Sequence, residues 1–96
     1  LLENLVYLEL IRAGYEVYVG SIKDKEVDFV AMKDDRVIYI QSTYILTDEQ
    51  TILREYAPLE SISDNYEKMV VSLDELALPL REGIRHVQAW RLNEIL

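Results

Sequence analysis

The stretch KEVDFVAMKDDRVIYIQSTY, residues 25–44, decides the fold. It alternates with a period of two, which predicts β-strands. In its first half Val27, Phe29 and Ala31 fall on one face, and Glu26, Asp28, Val30 and Met32 on the other. In its second half Ile38, Ile40, Ser42 and Tyr44 oppose Val37, Tyr39, Gln41 and Thr43. Asp34 and Asp35 are polar and tolerate turn geometry, so a two-residue hairpin loop is predicted between the strands. That loop sets a register with Lys33 opposite Arg36, Met32 opposite Val37 and Val30 opposite Tyr39. The same register puts Asp28 opposite Gln41 and Glu26 opposite Thr43. Paired residues project to one face, about 5 Å apart at Cβ. Asp28 therefore meets Gln41 on a face otherwise built from Val30, Met32, Val37 and Tyr39. A carboxylate on an apolar strand face needs a partner or a purpose. A hydrogen bond donated by Gln41 to Asp28 would supply the partner.

Upstream, residues 1–13 read as a helix, ended by Gly14 as its C′ residue. Its apolar surface is wide enough to predict burial along much of its girth. Glu3 lies beside Val6, Tyr7 and Leu10 on the helical wheel. It reads first as a carboxylate that favours the positive end of the helix dipole. Residues 15–22 are rich in aromatic and β-branched types and read as a strand. Residues 23–25 form a charged turn into the hairpin. Downstream, Thr47 followed by Gln50 is a capping-box signature. It opens a helix over about 48–62, with Ile52, Leu53, Tyr56, Leu59 and Ile62 on its buried side and Pro58 stopping or kinking it. KMVVSL, residues 68–73, fits a strand buried on both faces. Residues 74–83 carry Pro79 and Gly83 and read as a loop. Residues 84–89 read as the last strand, and 90–96 as a terminal helix or an extended end. The order is helix, three strands, helix, strand, strand. It predicts an α/β (α+β) domain with a mixed sheet flanked by helices.

The 96 residues make one domain, residues 1–96, with half of them apolar and a net charge of −8. No cysteine is present, and His86 is the only histidine, which excludes thiolate and multi-histidine zinc sites. Basic residues are scattered, without the basic stripe that nucleic-acid binding draws on, so the acidic balance disfavours nucleic acid as a partner. Apolar runs are too short to span a membrane and no signal-peptide pattern is found, so a cytoplasmic setting without membrane contact is expected. The three glycines are separated, so no phosphate-binding loop exists. Ser42, Ser61, Ser63 and Ser72 have no base at recognisable spacing, and His86 reads as a surface or packed histidine. The chain opens on Leu1 and Leu2 inside a helical pattern with no capping residue before them, which is expected of a fragment of a larger protein.

LLENLVYLELIRAGYEVYVG, the hairpin stretch, TDEQTILREYAPLESISDNYEKMVVSLDE and the closing GIRHVQAW together resemble a family. It is the domain of unknown function that follows the ATPase module in many bacterial and archaeal AAA+ ATPases. That domain is similar in fold to the PD-(D/E)XK nuclease superfamily, the restriction-endonuclease-like fold, with an αβββαβ core. The resemblance covers essentially the whole chain. It implies that Glu3 matches the acidic residue of the first helix and Asp28 the aspartate of the second strand. Gln41 and Thr43 then stand at the glutamate and lysine of the third strand's ExK. In active members the carboxylates hold Mg²⁺, and the lysine helps activate the attacking water. The need is chemical: a hard cation wants oxygen ligands, and phosphodiester hydrolysis wants a Lewis acid and a positioned nucleophile.

The chain departs from that pattern twice. Gln41 keeps an oxygen but no charge, and Thr43 supplies no cation. Glu26 on the same face, or a migrated Lys25 or Arg54, could compensate. The expectation is a catalytically silent accessory domain. Its partner would be an N-terminal ATPase module or another protein, and ATP would bind only in a domain outside this chain. The alternative is a divalent-metal-dependent nuclease, with Asp28, Glu3 and Gln41 holding Mg²⁺ or Mn²⁺.

Overall fold

The computed structural model describes residues 1–22 and 25–96. The expected charged turn at 23–25 lies partly outside the described residues. The chain begins with α1 (Leu2–Arg12), then β1 (Glu16–Ile22), β2 (Lys25–Lys33) and β3 (Arg36–Ser42). These lead into α2 (Glu49–Glu60), β4 (Glu67–Ser72) and β5 (Arg85–Gln88), and the chain closes on a 3₁₀ turn (Ala89–Arg91) and α3 (Leu92–Ile95). The sheet runs in sequence order, β1-β2-β3-β4-β5. The first three strands form an antiparallel meander, while β4 joins β3 and β5 joins β4 in parallel. This is an α+β fold on a mixed sheet with helices on both faces, as the order of elements predicts.

Two apolar layers sandwich the sheet. On one face Ile38, Ile40, Met69 and Val71 pack with Val6 and Leu10 of α1 and with Leu92 of α3. On the other, Tyr39 and Val70 pack with Tyr56 and Leu59 of α2 and with Ile84. β3 and β4 are therefore covered on both sides, which is why KMVVSL carries no polar alternation. Each fully buried Leu, Ile, Val or Met contributes about 1.5–3 kcal/mol relative to exposure.

The hairpin forms in the predicted register, with Lys33 against Arg36, Met32 against Val37 and Val30 against Tyr39. Asp34 takes a positive φ of 54° at the turn, a conformation aspartate tolerates better than most residues. At the end of α1, Gly14 has φ 92°. Its N–H reaches Ile11 O, and the N–H of Tyr15 reaches Leu10 O. These are the two bonds of a Schellman motif, and they turn the chain from helix into β1.

Four expectations need correction. Val27 does not share a layer with Phe29 and Ala31: it packs on the α2 side, while those two pack on the α1 side. The β1–β2 register shifts between Tyr18↔Val30 and Gly20↔Val27, so β2 carries an extra residue and its alternation slips there. α1 is not buried along most of its girth. Leu2, Val6 and Leu10 are buried, but Leu5, Leu8 and Ile11 are 45, 53 and 44% exposed. The α2 cap is Asp48, whose carboxylate accepts from Thr51 N at 2.8 Å, in place of Thr47. Leu53 is exposed, whereas Tyr56, Leu59 and Ile62 are buried as expected and Ile52 is half-buried. Pro58 lies inside the last turn of α2 and does not stop it: the helix runs on to Glu60, and the proline only leaves the Arg54 carbonyl without its i+4 N–H donor.

Parallel neighbours need a crossover. Between β3 and β4 it is α2. Between β4 and β5 it is the loop at 73–84, which has no helix to satisfy its own backbone. Side chains do so instead. Leu78 N–H donates to His86 Nδ1 at 2.7 Å, and the Gln88 amide donates to the carbonyls of Asp74 at 3.1 Å and Glu75 at 2.5 Å.

Candidate functional site

The bulge in β2 falls at Asp28 and Phe29, one residue past the last β2–β3 ladder pair, Phe29↔Ile40. From there side chains take over from the backbone ladder. Asp28 N–H donates to Gln41 Oε1 at 2.7 Å. The Asp28 carboxylate accepts from Ser42 N at 2.8 Å and from Ser42 Oγ at 3.2 Å. Asp28 and Gln41 are thus neighbours, as the register predicts, but the bond runs the other way. Gln41 accepts from the Asp28 backbone, and Ser42 satisfies the carboxylate. Gln41 is buried and Asp28 half-buried.

Glu3, in the first turn of α1, is exposed, which suits its reading as a carboxylate at the positive end of the helix. It borders two shallow clefts. One, about 360 Å³, also meets Val27, Asp28, Phe29 and Glu26. The other, about 330 Å³, meets Ser42, Thr43 and Tyr44. Glu3, Asp28 and Thr43 are therefore brought to one end of the sheet, and Gln41 lines neither cleft. The Thr43 N–H extends the β3–β4 pairing by donating to Val71 O at 3.0 Å. Of the candidate replacement cations, Arg54 is largely exposed and lies 3.6 Å from Glu55.

Glu55 is the residue that sequence reasoning missed. It stands on α2 in the same row as Ile52 and Leu59, facing the sheet. Burial raises its pKa, and the charges of Asp28 and Glu3 push the same way. The available signal was an acid at i+3 from Ile52 and i−4 from Leu59 on the apolar side of the helix. The site is thus acidic: Glu3, Glu26, Asp28 and Glu55 gather there. Among the described residues no three His, Cys, Asp or Glu side chains are placed to hold a metal ion together. The donor set fits Mg²⁺ or Mn²⁺ poorly, because Gln41 is a neutral amide whose oxygen already accepts the Asp28 N–H, and one of the two Asp28 carboxylate oxygens, Oδ2, already accepts from Ser42.

A second polar cluster lies under the 73–84 loop. Ser72 Oγ is 2.6 Å from His86 Nε2 and 2.5 Å from Asp74 Oδ2. Ser72 therefore does have an imidazole beside it, a contact invisible in the spacing. Its direction is set by Leu78 N–H, which donates to Nδ1 and so leaves the ring proton on Nε2. Nε2–H then donates to Ser72 Oγ, and Ser72 O–H donates to Asp74. In that tautomer the ring cannot take the serine proton, so the cluster is not poised for nucleophilic attack. Burial lowers the His86 pKa, and the Asp74 charge opposes this only in part. Asp74 also accepts from Leu46 N at 2.9 Å, tying the end of β4 to the segment before α2.

No protein-family model matches the chain, and no solved structure matches it. It is 39% identical over 71 residues to an uncharacterized protein of Haemophilus influenzae. The match covers 74% of this chain but 17% of that protein. Since 71 residues are 17% of it, the relative is about 420 residues long. Among the described residues no helix is long and apolar enough to cross a membrane.

Proposed function

We propose that the chain is a non-catalytic accessory domain of the restriction-endonuclease-like, PD-(D/E)XK type. In this reading it belongs C-terminal to the ATPase module of an AAA+ ATPase in the cytoplasm. It acts in recognition or assembly, through contact with that module or another protein. One observation carries the reading. The Gln41 amide oxygen, at the place of a metal-binding carboxylate, is neutral and already accepts the Asp28 N–H, and the Oδ2 oxygen of Asp28 already accepts both bonds from Ser42. Two further features support it. Acidic side chains surround the site where a phosphodiester would need cations. The matched relative, at about 420 residues, has room for more than one domain. The rival reading, a metal-dependent nuclease using Glu3, Asp28 and Gln41, draws on Glu3 and Asp28 bordering one cleft.

Calorimetric titration with Mg²⁺ and with Mn²⁺ separates the two. The accessory reading expects no saturable heat in the native chain, and none in Asp28→Ala. A saturable heat in the native chain that vanishes in Asp28→Ala overturns it.

A further inference from the structure

The 73–84 crossover shapes a cleft against α2 that lies apart from the acidic end of the hairpin. Its walls are Ile52 on one side and Leu78, Pro79 and Leu80 on the other, and its volume is about 420 Å³. Leu80 is 72% exposed. The wall is held in place: Leu78 is pinned through its N–H to the buried His86 ring, and Arg81 and Ile84 exchange two backbone hydrogen bonds.

Arg81 and Tyr56 form the floor. The guanidinium sits 5.6 Å from the centre of the Tyr56 ring. Tyr56 is fully buried, and its hydroxyl has no hydrogen-bond partner among the described residues. Leaving a buried hydroxyl unpaired is unfavourable. Arg81 lies 3.6 Å from Glu49 and 3.4 Å from Glu60, beyond the length of a strong charged hydrogen bond. Glu82 lines the cleft itself, while Glu49 and Glu60 stand beside it through Arg81. One cation against three carboxylates leaves the rim negative, on a chain whose net charge is already −8.

We propose that this cleft docks a basic peptide segment of a partner protein, which inserts an apolar side chain between Ile52, Leu78 and Leu80. The flanking lysines or arginines of that segment meet Glu49, Glu60 and Glu82. The proposal is independent of any metal or nuclease chemistry at the hairpin.

The test uses a labelled 12-residue peptide with two central leucines flanked by lysines. Two controls replace its lysines by glutamates or its leucines by serines. Binding is read by fluorescence anisotropy, and its place by methyl NMR shifts. The leucine–lysine peptide should bind saturably, weaken with added salt and shift the methyls of Ile52, Leu78 and Leu80. Leu80→Asp should weaken it about tenfold or more, by loss of an apolar contact at the mouth. Glu82→Lys should weaken it about threefold or more, by reversing one rim charge. Equal binding of the serine peptide overturns the proposal. So do shifts confined to Leu5, Leu8 and Ile11 on α1, or cleft shifts that arise from self-association without peptide.

Discussion

Both ring nitrogens of His86 are engaged, Nδ1 as an acceptor from Leu78 and Nε2 as a donor to Ser72. Protonation would put a second N–H on Nδ1, facing the N–H of Leu78. The Asp74 carboxylate, 3.9 Å from Nε2, is the charge that favours protonation. Burial outweighs it, and the folded pKa lies below the ordinary value. The unfolded chain therefore binds the proton more readily. The stability this group contributes is complete above about pH 6.5 and is lost as pH falls from there through the folded pKa. Urea unfolding of the native chain and of His86→Gln across that range checks it. At neutral pH the variant should be less stable by about 1–3 kcal/mol, the cost of leaving buried partners unpaired. The gap should narrow on acidification, because only the native chain carries the titrating ring. A gap independent of pH would remove the histidine from the linkage. The sequence leaves His86 as either a surface or a packed histidine, and the structure buries it. Its contact with Ser72 was not legible there, because it depends on the parallel register that sets Val70 against His86 and Ser72 against Gln88. No local spacing encodes that pairing.

The start of α2 shows how close a local signature comes and where it slips. Thr47 and Gln50 satisfy the capping-box pattern, yet Asp48 is the cap, with Thr51 N–H on its carboxylate. Both patterns lie in the same five residues, and a carboxylate at the positive helix end outcompetes a hydroxyl. The bond also lowers the Asp48 pKa. Asp48→Ala should lower the chemical denaturation midpoint clearly more than Thr47→Ala does; the reverse order would restore the threonine cap. The hairpin follows the same lesson. Its turn and register were legible because a two-residue loop fixes which residues face each other. Its bulge was not: Val27 and Phe29 are both apolar, so the pattern of residue types continues across a point where the backbone skips a step. That skip turns Val27 toward α2 and leaves Asp28 at the break in the ladder. The site was therefore legible in its members Asp28, Gln41, Glu3 and Thr43. It was not legible in its wiring, which runs through Ser42, or in Glu55, which comes from another element.

At the scale of the molecule, two opposing features meet on α1. The chain carries a net charge of −8, which repels copies of itself in dilute salt. Yet Leu5, Leu8 and Ile11 stand on the outer side of α1, each at least 44% exposed, with Trp90 also 53% exposed. Small single domains expose apolar side chains singly, and a run of them on one helix face marks a contact surface. Repulsion acts over about a Debye length, roughly 10 Å at 0.1 M salt, whereas the apolar attraction needs contact. Weak self-association of the isolated chain should therefore grow with ionic strength, as read by sedimentation velocity at several salt concentrations. Leu5→Gln combined with Leu8→Gln should abolish that growth while changing the unfolding free energy by no more than about 0.5 kcal/mol. Leu10→Ala, one turn away on the buried side, should instead cost about 2–5 kcal/mol. If the double glutamine variant unfolds like Leu10→Ala, the outer face belongs to the core. If it folds and still associates with rising salt, the contact surface lies elsewhere.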